Sequence, residues 1–146
     1  MLAGNYPTKI DDKGRIKIPA AFRQIIEKEY GNQLYVTSLS GGNVQIYPLE
    51  VWMGLMRRLA RLPSMEPVKI KFLSRTNYFG QMTAMDKQGR VLLQPLLRES
   101  AQMVGEVVVL GFINYLEVWN KKLYDEHIKT QPLTEKDKAR LAELKI

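Results

Sequence analysis

One short pattern occurs twice in this chain. Asp11-Asp12-Lys13-Gly14-Arg15 returns as Asp86-Lys87-Gln88-Gly89-Arg90, so both copies read Asp-x-x-Gly-Arg. Each is followed by an apolar run and a proline, Ile16-Lys17-Ile18-Pro19 and Val91-Leu92-Leu93-Gln94-Pro95. Each then reaches an arginine at the same spacing, Arg23 and Arg98. Glycine between an acid and an arginine admits the positive φ of a tight reversal. Ile10, Ile16 and Ile18 alternate with Lys9 and Lys17, the period of a strand with one buried face. The pattern therefore predicts the tip or corner of a β-hairpin. Arg15 and Arg90 leave its edge beside a residue with no side chain. Asp11 and Asp86 are placed to accept backbone N–H groups and to orient the arginine four residues on.

The duplication extends beyond the turns. After Pro19, Phe22, Ile25 and Ile26 at helical spacing predict a helix over 20–30, stopped by Gly31-Asn32. Leu34–Thr37 and Val44–Tyr47 read as strands around the turn Ser40-Gly41-Gly42-Asn43. Leu49–Leu62 reads as an amphipathic helix closed by Pro63. A second helix is expected over 68–78 and a strand over 81–85. The second half then repeats the first: a short helix over 95–103, strands at 105–110 and 116–119, and a helix over 121–129. Thr134 is expected to cap a last helix, with Asp137 at its third position. The fold class this predicts is mainly β with peripheral helices (α+β). It has two pseudo-two-fold-related ββαβ units in one interlocked, barrel-like core, because single hairpins are too small to stand alone. The divisions are a first unit with its following helix (1–62), a connecting segment (63–80), a second unit with its helix (81–130) and a helical tail (131–146). Trp52 and Trp119 are read as paired core aromatics at corresponding positions.

Charge points to a polyanion. The net charge is +7, with 12 basic against 6 acidic side chains in residues 1–75 and 10 against 9 in residues 76–146. Such an excess favours nucleic acid. The chain has no cysteine and one histidine, His127. Thiolate and multi-histidine metal sites are therefore not expected, and neither is a cofactor. Acids beside Lys and Arg read as permanently ionised turn residues rather than tuned catalytic acids. No glycine-rich loop with a following lysine and helix is present to cradle a small phosphate ligand. An enzyme is thus the weakest reading, and no small-molecule substrate is expected. No apolar run is long enough for a transmembrane helix, and no membrane partner is expected.

The paired turns, the runs Asp-Lys-Gly-Arg-Ile-Lys-Ile-Pro-Ala-Ala-Phe-Arg and Asp-Lys-Gln-Gly-Arg-Val-Leu-Leu, and Gly111-x-x-Asn114-x-Leu116-Glu117-Val118-Trp119 together resemble the signature of the MraZ family. The resemblance covers nearly the whole chain. It implies two AbrB-like swapped-hairpin units and a cytoplasmic, nucleoid-associated bacterial regulator of transcription. It implies a ring-shaped homo-oligomer whose subunits meet short direct repeats in the promoter of the division and cell-wall gene cluster. The family's DNA contacts carry over onto Lys13, Arg15 and Arg90. The chain departs from the pattern at Leu2-Ala3, where a Phe-Arg pair is common, at Gln94 in place of a proline, and at Tyr115 in place of a basic residue.

The partner expected is double-stranded promoter DNA. The candidate contacts are Lys9, Lys13, Gly14, Arg15, Arg23, Lys87, Gly89 and Arg90, with Asp11 and Asp86 orienting the turns. An arginine on a stiff ribbon pairs with phosphate or with guanine O6 and N7 in the major groove. The alternative is a ring-forming protein scaffold that binds through Tyr- and Trp-containing faces without reading DNA. Salt separates the two, since DNA affinity falls steeply with ionic strength.

Overall fold

The computed structural model describes residues 1–146. The alternating segments become strands and the helical-period segments become helices. β1 (Asn5–Lys9) and β2 (Arg15–Lys17) flank the first Asp-x-x-Gly-Arg turn. α1 (Ala20–Glu29) follows Pro19 and ends at Gly31, whose φ of +90° turns the chain away. β3 (Gln33–Thr37), β4 (Val44–Pro48), α2 (Leu49–Ala60) and α3 (Pro67–Tyr78) complete the first half. The second half gives β5 (Gln81–Ala84), β6 (Arg90–Leu92), α4 (Pro95–Ser100), β7 (Glu106–Gly111), β8 (Leu116–Asn120) and α5 (Lys121–Thr130). α6 (Glu135–Glu143) ends the chain. Thr134 and Asp137 form a reciprocal capping box at its start, which satisfies two otherwise orphaned N–H groups.

All strand pairs are antiparallel, in a mixed α+β fold. Six strands form one sheet in the order β1-β7-β8-β4-β3-β5, and β2 pairs with β6 in a separate two-stranded ribbon. The halves exchange strands: β1 of the first half lies on β7 of the second, and β5 of the second lies on β3 of the first. Swapping the two halves maps the strand order onto its own reverse. The six-stranded sheet is open, with β1 and β5 as its edges, so the closed barrel-like core expected from the repeat is not what the main sheet forms. Pro7 is tolerated in β1 because that strand is an edge.

The core is duplicated as well. Ile16, Ile18 and Phe22 of the first half match Val91, Leu93 and Leu97 of the second, and all six are essentially sealed from solvent. Val44 and Ile46 on β4 match Leu116 and Val118 on β8 in the same way. These side chains belong to one continuous cluster of 20 buried residues. Each fully buried aliphatic or aromatic side chain contributes about 1.5–3 kcal/mol relative to exposure.

Three expectations are corrected. α4 ends at Ser100 rather than near Met103. Gln102 takes a left-handed φ of +53°, and Met103 N donates back to the Arg98 carbonyl (2.9 Å), a Schellman closure that uses Gln102 where glycine is usual. The flanks of the first turn pair as a hairpin only at its base, where Ile10 bridges Ile16 antiparallel and Asp11 N donates to the Arg15 carbonyl (3.0 Å). β1 joins the large sheet and β2 joins β6, so the turn is a corner between sheets. The tryptophans are not equivalent. Aligning β4 with β8 places Trp119 opposite Tyr47, and Trp52 opposite Tyr124. Trp52 is buried in a stack on Tyr35 (4.3 Å between centroids), whereas Trp119 lies half-buried against His127 and Tyr124.

Candidate functional site

Each turn is built by its own aspartate. Asp11 Oδ1 accepts the backbone N–H groups of Lys13 (3.0 Å) and Arg15 (2.9 Å), and Oδ2 accepts the side-chain Nε of Arg15 (2.8 Å). Asp86 repeats this with Gln88 N, Arg90 N and Arg90 Nε, all at 2.9 Å. Gly14 N and Gly89 N donate to the carbonyls of Asp11 (3.1 Å) and Asp86 (3.0 Å), and the glycines sit at φ +81° and +75°. The backbone N–H of the arginine, helped by its side chain and by the intervening amide, holds each carboxyl below its ordinary value. Both aspartates are therefore ionised at neutral pH. Each fixes its arginine through Nε and leaves the two terminal nitrogens without a partner in the chain.

The ribbon puts both arginines on one face. Ile16 pairs with Val91, and both point into the core. Side chains alternate across a strand, so Arg15 opposite Leu92, and Lys17 opposite Arg90, take the outer face. Arg15 and Arg90 are diagonal neighbours across the ribbon, on the order of 7–8 Å apart. Their side chains retain 26% and 30% exposure. Each arginine carries its own paired aspartate, which offsets part of the like-charge repulsion on this face.

The halves also hold each other's turns. Leu93 N donates to the Gly14 carbonyl (3.0 Å), and Ile18 N donates to the Gly89 carbonyl (2.8 Å). Arg23 crosses from α1 to the second turn, donating from Nη2 to the Lys87 carbonyl (2.7 Å) and from Nε to Glu27 (2.7 Å). A methyl group at Gly89 would lie 2.7 Å from Arg23 Cδ, so only glycine leaves room for this crossing. Arg98 crosses from α4 to lie directly over Gly14 in the same manner.

The structure gathers Arg15, Arg90, Gly14 and Gly89 with the exposed Lys13 and Lys87 of the turn loops. It separates Lys9, which stands on β1 opposite Glu106 in the large sheet. Arg23 is committed to Lys87 and Glu27. Two basic residues absent from the candidate set, Lys17 and Arg98, belong to this surface. Lys17 was legible as the outward member of the Ile-Lys-Ile alternation. Arg98 was legible as the repeat partner of Arg23, although the turn it crosses was not.

Beside the first turn lies a cavity of about 770 Å³, lined in part by Asp11, Asp12, Gly14, Arg98, Glu99 and Gln102. Gln94, which stands where the family pattern has a proline, anchors the start of α4. Its N–H donates to Gln81 Oε1 (3.1 Å) and its Nε2 donates to the Phe79 carbonyl (3.0 Å). No group of three or more His, Asp or Glu side chains is arranged to hold a metal ion. No helix is long and apolar enough to cross a membrane.

Comparison with known proteins agrees with this duplicated architecture. The family model "MraZ protein, putative antitoxin-like" matches residues 1–75 and 81–144, one stretch in each half. A protein of Acidobacterium capsulatum named Transcriptional regulator MraZ is 49% identical over 143 residues, covering 98% of both chains. A protein of the same name from Koribacter versatilis is 46% identical over 147 residues, covering all of both. One from Syntrophobacter fumaroxidans is 31% identical, covering 83% of this chain and 80% of its own. With matching sequence over both halves and near full-length relatives at these identities, the chain belongs to the MraZ family.

Proposed function

We propose that this chain is a DNA-binding regulator of transcription that lays the outer face of the β2–β6 ribbon into the major groove. The observation that carries this reading is the identical clamping of Arg15 and Arg90 on one face of the ribbon, each held by Nε with its terminal nitrogens free. A two-stranded ribbon fits a groove ~12 Å wide, and a pre-set guanidinium pays little entropy to meet guanine or phosphate. The relatives' shared name, Transcriptional regulator MraZ, supports the same function.

The finer reading follows from the family resemblance. The two strand-exchanging halves act as paired AbrB-like units, residues 1–62 and 81–130. Lys13, Lys87 and Lys17 add phosphate contacts around the arginines, while Asp11 and Asp86 set the guanidinium direction. One subunit neutralises few phosphates, so it binds weakly by itself. A ring of identical subunits meets direct repeats ~10 bp apart on one DNA face and gains affinity without new contacts. The target is the promoter of the division and cell-wall gene cluster, and the site of action is the cytoplasmic nucleoid.

Gel shifts on duplexes from that promoter, carrying one, two or three repeats, test the reading when oligomer mass is measured alongside. Affinity should climb with repeat number and fall with salt. Arg15→Glu should remove ~1–3 kcal/mol per engaged subunit, the discrimination typical of one bidentate base contact. Wild-type affinity in a folded Arg15→Glu protein would defeat the assignment.

A further inference from the structure

Arg23 and Arg98 hold equivalent places, yet their bonding differs. Arg23 is engaged at both ends, by Glu27 one helical turn on and by the Lys87 carbonyl. Glu27 is available because α1 runs for 10 residues. The position equivalent to Glu27 in the second half is Gln102, which lies past the end of α4 in a left-handed conformation. Arg98 therefore has no acid on its own helix at that spacing. Its guanidinium makes no hydrogen bond or ion pair within the chain, and no buried side-chain nitrogen is left unpaired, so its nitrogens meet solvent. Asp11, Asp12 and Glu99 line the cavity it borders, but none is in an ion pair with it. Asp11 is already occupied by Arg15.

An unpaired guanidinium pressed over Gly14, next in sequence to Arg15, is poised for an anion. It has no existing ion pair to break, whereas Arg23 would have to release Glu27. We infer that Arg98 is a DNA-phosphate contact of the first turn supplied by the opposite half of the chain, and that Arg23 is a positioning residue that stiffens the second turn. This rests on the DNA-binding reading above. It makes the two turns unequal: the first offers Arg98 beside Arg15 and Lys13, whereas the second has only Arg90 and Lys87, its own crossing arginine being held by Glu27.

Fluorescence anisotropy with a mixed-sequence DNA duplex across a salt series tests this, because each phosphate contact adds about 0.9 to the slope of log affinity against log salt. Arg98→Ala and Arg98→Gln should each lower the slope by about that amount per engaged subunit, and Arg98→Lys should restore it. Arg23→Ala should weaken binding at every salt concentration while keeping the slope. Thermal melts and oligomer mass accompany each variant, and the Gln variant, which keeps much of the stem, serves if the Ala variant unfolds. An unchanged slope in the folded Arg98 variants, or an equal fall in Arg23→Ala, overturns the assignment. A wild-type protein with no salt-dependent binding would instead refute the regulator reading itself.

Discussion

Gly89 and Gly105 have nearly the same positive φ and different surroundings, which isolates what the arginine crossing contributes. Gly105 has φ +70° with open space where a side chain would go, and Gly89 has φ +75° with Arg23 across it. Alanine at either position must adopt the left-handed region, which costs about 1–2 kcal/mol. At Gly89 the new methyl also displaces Arg23, since its Cδ would be only 2.7 Å away. Arg23 is a flexible side chain and can swing aside, so the loss is its hydrogen bond to the Lys87 carbonyl, about 1 kcal/mol net for a bond this exposed. Its ion pair with Glu27 is also solvent-screened and adds little. Gly89→Ala should therefore destabilise the protein by about 1 kcal/mol more than Gly105→Ala, a gap of roughly 2–4 °C in melting midpoint for a chain of this size. Urea denaturation at one fixed protein concentration measures both. The gap should vanish in an Arg23→Ala background, because the two sites act through one contact. Equal losses at the two glycines, or a gap that survives without Arg23, would refute the crossing as a stabilising contact.

The turn aspartates predict an acid limb to stability. Asp11 and Asp86 titrate below the ordinary value of 3.8 when folded, so their contribution is complete above that value and is lost as the pH falls through the lowered folded-state values. Urea midpoints should decline as the pH drops below about 4, and the Asp11→Asn/Asp86→Asn double variant should lose much of that decline; an unaltered pH profile would show that these carboxylates are not the cause. Gln94 tests the second helix start. Its φ of −65° already suits proline, so Gln94→Pro should remove the bonds to Gln81 and Phe79 without backbone strain. A net loss of roughly 0.5–1.5 kcal/mol follows, since stiffening of the unfolded chain returns part of two hydrogen bonds. A Gln94→Pro protein as stable as wild type in urea would show that those bonds contribute nothing.

What was readable in the residues was what short-range interactions decide. Asp11 and Asp86 bond only to groups up to four positions away, so the same composition gives the same turn wherever it occurs. The helix starts at Pro19, Pro48 and Thr134, and the α3 helix, rest on similarly local chemistry. The end of α4 was less readable, because a left-handed Gln102 carries no glycine signal.

Pairing across the chain lay beyond the sequence. That β1 joins β7 rather than β2, that Arg98 lies over Gly14, and that Lys9 stands apart from the ribbon all depend on which surfaces meet after collapse. Periodicity tells a strand which face to bury but not which strand to hydrogen-bond, since every backbone offers the same donors and acceptors. The sequence alone thus determined two copies of an arginine-presenting turn and a core repeated in register. Only the tertiary structure decided that the two turns meet on one two-stranded β2–β6 ribbon and are braced by each other's halves, because that requires the burial of both apolar sets in one common core.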